Sequence, residues 1–238
     1  MANFPFQRLQ TDLAALINKT PAGQRLPSEP ELAKQLGVSR ATLREAMRSF
    51  ETQGLIRRRQ GSGTFVVGKV QALDSGLEVL ESLETLAKRI GLEVSVSDLS
   101  IEAIAADADL AASLNVTVGA KLTRVRRVIR AEGRPVAYLV DTLPEDFVHA
   151  KDVPSDFHGS VLDFLLNRGD LLASSRANVS AIGATADVAK PLEIQRGDVL
   201  LHFNSQLFDS EGKVVDYSLS YFIPGYFRFH IVRRVGNG

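Results

Sequence analysis

Apolar residues at positions 6, 9, 13, 16 and 17 recur at helical spacing, so residues 4–18 form an amphipathic helix that Pro21-Ala22-Gly23 breaks. Ser28 with Glu31 three residues on is the pattern of a capping box, and Leu32, Ala33 and Leu36 line one face of the short helix it starts. Gly37 ends that helix. Ser39 caps a third helix running to about Gln53, with Leu43, Ala46, Met47 and Phe50 on its inner face and Arg40, Thr42, Arg44 and Arg48 mostly outside. Two β-prone runs, 55–59 and 64–67, flank the turn Gln60-Gly61-Ser62-Gly63 and predict a hairpin. Helix, short helix, turn, third helix and hairpin is the order of a winged helix-turn-helix, expected over residues 1–68.

The pattern then changes. Residues 69–80 read as a linker, and 81–238 as a second domain. Leu77 to Ile90 is helical in pattern, as are 105–114, 161–167 and 185–192. Strand patterns run over 94–104, 122–130, 136–143, 176–182, 199–208 and 214–222, several meeting at hairpin turns such as Ala131-Glu132-Gly133-Arg134, and 227–235 closes the chain. Strands joined as hairpins and interrupted by short helices give an α+β domain on an antiparallel sheet.

Charge divides along the same line. Residues 1–69 hold 11 basic and 5 acidic side chains, leaving 17 basic and 23 acidic for the rest of a chain whose formal net charge is zero. A basic first part suits a polyanion. There is no cysteine, which removes disulfides and thiolate metal sites. No run of about 18 apolar residues is present for a membrane span, and the N-terminus lacks the apolar stretch of a signal peptide, so a cytoplasmic location is expected.

The blocks "LPSE", "LGVSR.TLREA" and "G.GTFV" occur in order between Leu26 and Val66, and by them the N-terminal part resembles the GntR superfamily of bacterial regulators. The later part is similar to the effector domain of its HutC-type subfamily, called UTRA, which shares its fold with chorismate lyase. That likeness rests on the 127–143 hairpin with "EGRPVA" at its turn, on His158-Gly159-Ser160-Val161, and on "GDVLLHFNSQLFDSEGKVVDYSLSYF". The resemblance implies a homodimeric repressor that binds double-stranded operator DNA and is released by a small metabolite, with no cofactor, metal or membrane partner. The alternative is a catalytic chorismate-lyase-like domain fused to a DNA-binding one, though no nucleophile–histidine pair or paired carboxylates stand at a telling spacing.

By the same resemblance Arg40 and Arg44 reach guanine edges, where an arginine fork matches O6 and N7, while Ser39 and Thr42 hold phosphates. Arg48, Arg58 and Arg59 are expected to add backbone contacts, and Gly61 and Gly63 to let the wing tip turn tightly. Pro30 replaces the arginine that usually contacts DNA from the second helix. In the effector domain Arg127, Ser160, Asp216 and Tyr221 match family positions, and Arg130 and Asp141 are counted with them. Ile129 and Leu139 stand where the family has an arginine and an acid, and Tyr226 where it has an aspartate. These exchanges imply an effector less polar than a sugar phosphate.

Overall fold

The computed structural model describes residues 4–231 apart from 22, 53–54, 60–61, 68–72, 90, 155–156 and 158. The chain divides into two compact units that part near residue 72.

The first unit holds α1 (Phe4–Lys19), α2 (Glu29–Gln35), α3 (Arg40–Thr52), β1 (Ile56–Arg59) and β2 (Gly63–Val66). The three helices close on a core of Leu9, Leu13, Ile17, Leu26, Leu32, Leu43, Met47 and Ile56. The capping box is in place: the backbone N–H of Ser28 donates to Oε2 of Glu31 at 2.8 Å. Gly37 takes φ +64°, a left-handed turn between α2 and α3 that costs a glycine nothing. The wing strands pair antiparallel, and Arg25 adds a bridge to Phe65.

The second unit begins earlier than a linker over 69–80 allows. Residues 73–76 form strand β3, which pairs in parallel with β10 (Phe227–His230). The helix expected over 77–90 is confined to α4 (Leu83–Arg89), because Ser82 supplies its start: the Thr85 N–H donates to Ser82 Oγ at 3.0 Å. After it come β4 (Val94–Ala105), α5 (Ala108–Leu114), β5 (Lys121–Ala131), β6 (Arg134–Pro144), α6 (Val161–Arg168), β7 (Leu172–Gly183), α7 (Ala186–Ala189), β8 (Val199–Asp209) and β9 (Val214–Phe222). The helix expected over 185–192 is thus a single turn. Residues 232–235, the end of the segment read as closing the chain, lie outside the described residues.

Six of these strands make one antiparallel sheet in the order β4-β5-β6-β9-β8-β7. Glu132 (φ +51°) and Gly133 (φ +75°) form the tight β5–β6 turn, the mirror-type geometry that fits strand twist. One face packs Val125, Leu143 and Val215 against Val161 and Leu165 of α6. The other packs Leu122 and Val214 against Leu110, Ala111 and Leu114 of α5. The architecture is a winged helix-turn-helix followed by an α+β antiparallel-sheet domain, as the sequence pattern predicts.

Candidate DNA-contacting surface and effector site

The start of α3 is built as a cap. Ser39 Oγ accepts from the Thr42 N–H at 3.1 Å and shares a 2.8 Å hydrogen bond with the Thr42 hydroxyl. Both side chains and Arg40 remain exposed at a positive helix end. Arg44 follows one turn on. Its Nε donates to Glu29 Oε2 at 2.7 Å, yet the side chain stays 56% exposed. Arg48 is partly buried and lies 3.9 Å from Glu45.

The wing separates its three arginines by strand alternation. Arg57 and Arg59 face outward, and Arg59 lies over the Phe65 ring at 5.1 Å. Arg58 is on the opposite face, paired with buried Thr64 and directed at Glu29 and Glu51, both at 3.6 Å. Arg58 thus ties the wing to α2 and α3, and Arg57 shares the outward face with Arg59. The sequence reading missed Arg25. It is exposed, and a Cβ added at Gly63 (φ +110°) would fall on its guanidinium. Gly61 lies outside the described residues.

In the second unit the structure brings four of the six expected residues toward one place. Arg127 of β5 pairs with Asp141 of β6, and both are buried. Asp216 of β9, equally buried, accepts the Thr142 N–H at 3.1 Å and hydrogen-bonds the Asp141 carboxyl. Burial first, then the neighbouring Asp141 charge, pushes the Asp216 carboxyl well above the usual carboxylate range. Ser160 caps α6 by accepting the Asp163 N–H at 3.2 Å, and Asp163 accepts the Ser82 hydroxyl at 2.6 Å. Two further residues belong here that the sequence reading passed over. Ser82 bridges the starts of α4 and α6, and Glu84 in the first turn of α4 interacts electrostatically with Arg127, Asp163 and Asp141.

Arg130 does not join the cluster. A register shift after Ile129 turns it toward Ser97 (2.8 Å), the Gly133 carbonyl (3.1 Å) and Glu193 (2.7 Å). Tyr221 does not join it either. Five residues from Asp216 on one regular strand, it points to the opposite face, stacked between Tyr138 and His202 with ring centroids 6.0 and 4.8 Å away.

A capped, cation-rich helix beside a wing, carried with a separate α+β domain holding a buried charge cluster, defines the class of DNA-binding regulators that carry an effector domain. Residues 6–66 match the bacterial regulatory proteins of the gntR family and residues 89–228 match the UTRA domain. The chain belongs to the UTRA-bearing GntR family of transcriptional regulators. It is 28% identical over 218 residues to the HTH-type transcriptional regulator Rv0792c of Mycobacterium tuberculosis, covering 90% of this chain and 79% of that one. It is 26% identical over 196 residues to the HTH-type transcriptional repressor NagR of Bacillus subtilis, covering 82% and 79%. The crystal structure of PhnF from Mycobacterium smegmatis superposes with a TM-score of 0.66 at 23% identity, over 96% of this chain and all of that one, a likeness of fold.

Proposed function

We propose that the chain is a cytoplasmic, homodimeric repressor that leaves its operator when a small metabolite binds the UTRA domain, and that it catalyses no reaction. The observation that carries this reading is the buried cluster of Arg127, Asp141 and Asp216. Buried charge is costly, and a domain has little structural need for three ionisable side chains grouped between sheet and helices. The domain boundaries read from the sequence, 1–68 and 81–238, are adjusted in this proposal to a division near residue 72. DNA binding is assigned to Ser39, Arg40, Thr42, Arg44 and the outward wing arginines, with Arg48 reaching the backbone. Effector binding is assigned to Arg127, Asp141, Ser160 and Asp216.

A dimer places two recognition helices on half-sites about one helical turn apart. The test is selection of bound duplexes from a random pool, followed by anisotropy titration and sedimentation at micromolar concentration. A palindromic site bound by a dimer is expected. A monomer bound to one unrepeated half-site would overturn the dimeric reading. Release of that duplex by metabolite extract, lost in Arg127→Gln with unliganded DNA binding intact, is the expected sign of the effector site. Conversion of the releasing metabolite into a product by the purified chain would favour the catalytic alternative.

A further inference from the structure

The charges around Arg127 are lopsided. Asp141, Glu84 and Asp216 all act on its guanidinium, so one cation faces three carboxyl groups, and a fourth, Asp163, acts on Glu84. Most of these groups are satisfied within the protein. Arg127 and Asp141 pair with each other, Asp163 takes the Ser82 hydroxyl, and Asp216 takes the Thr142 N–H. Two groups are not. Both carboxylate oxygens of Glu84 are shut off from solvent and, among the described residues, accept no hydrogen bond from another residue; the backbone of Glu84 itself lies close. Nε of Arg127, on a side chain 4% exposed, donates to nothing among the described residues.

Buried polar groups ordinarily find partners, because a group taken out of water without one forfeits its hydrogen bonds. Here a donor and an acceptor without partners belong to one electrostatically coupled cluster. Burial lifts the Glu84 carboxyl above the usual carboxylate range, against the pull of Arg127, so the cluster stores protons where it would otherwise store negative charge. A phosphate or carboxylate entering here would find its one cation already paired and three further carboxyl groups beside it. A cation would meet the opposite field.

We propose that the effector of this domain carries a protonated amine that pairs with Glu84, beside a neutral oxygen that accepts the Arg127 Nε–H. The inference rests on the effector-site reading above and names the chemical class of that effector. When the ammonium docks, the Glu84 carboxyl ionises and its proton leaves to solvent, so binding releases protons.

The test uses the full chain near pH 7 in thermal-shift titrations with two matched sets of probes. One set is 4-amino-1-butanol, 1,4-butanediol and 4-hydroxybutanoate. The other is 2-aminocyclohexanol, cyclohexane-1,2-diol and 2-hydroxycyclohexanecarboxylate. Each keeps the hydroxyl acceptor and varies only the charge beside it. The amines are expected to stabilise the chain most. Glu84→Gln should erase that advantage by tenfold or more in apparent affinity, with Asp216→Asn as a second variant if the first folds poorly. Calorimetry of the amines in buffers of different ionisation enthalpy should show proton release. If the hydroxy acids stabilise instead, and Arg127→Gln removes their effect, the effector site stands and the amine assignment falls. An amine effect that survives Glu84→Gln places the binding elsewhere and also overturns it. No shift with any probe overturns it and counts against the site as well.

Discussion

Arg44 Nε donates to Glu29 Oε2 at 2.7 Å, so the side chain expected to read a base is held by the first residue of the preceding helix. Glu29 is only 19% exposed and also lies 3.6 Å from Arg58. One carboxylate therefore fixes the aim of the recognition helix and the tie to the wing. A preset guanidinium loses less rotamer freedom when it meets a guanine. Arg44→Ala should lower affinity for the selected operator by about 1–3 kcal/mol while random duplex is bound nearly as before. Fluorescence anisotropy on both duplexes checks this, and an equal loss on the two would make Arg44 a backbone contact.

Arg58 and Arg59 should separate for a different reason. Arg59 faces outward, so Arg59→Ala should weaken all sequences alike and reduce the salt slope of binding by about one unit. Arg58→Ala should leave the slope unchanged and lower the thermal midpoint instead, because it loosens Glu29 and Glu51. Salt titrations of binding alongside melting curves separate the two outcomes.

Much of this was legible in the chain. The capping box at Ser28, the apolar faces of α1 to α3 and the glycine turns are local chemistry, and the structure follows them nearly residue for residue. The two-residue alternation of a strand carries further signals: Arg58 stands between two outward arginines, and Tyr221 is an odd number of residues from Asp216. What could not be read was non-local. The register shift that turns Arg130 away, the parallel pairing of 73–76 with 227–230, and the approach of Glu84 to Arg127 depend on contacts between segments far apart in sequence.

Gly63 joins the wing to Arg25. Its φ of +110° is unfavourable for any L side chain, and an added Cβ would strike the Arg25 guanidinium. Gly63→Ala should cost about 1–3 kcal/mol of stability in the N-terminal unit. Operator affinity should fall with it, since Arg25 is exposed beside the wing. Denaturant unfolding is the measurement, and a neutral result would show that the wing relaxes without strain.

The charge cluster should make stability depend on pH. Asp216 and Glu84 have folded-state affinities for protons raised above their ordinary values of 3.8 and 4.5. Well below those values both states hold the protons and the two groups contribute no slope. As pH rises through and beyond them, the unfolded chain releases the protons while the folded chain keeps them. The unfolded state then binds fewer protons, so stability falls with rising pH until the buried groups ionise too. The contribution of each of the two groups is read by difference between the parent and its amide variant. Asp216→Asn and Glu84→Gln should each flatten the downward limb above about pH 4 in urea unfolding followed from pH 4 to 8. Both should also be more stable than the parent at the top of that range, because an amide of the same shape needs no proton to be buried neutral. Profiles parallel to the parent in both variants would show that these carboxyls ionise in the folded chain, with Arg127 balancing more than one of them.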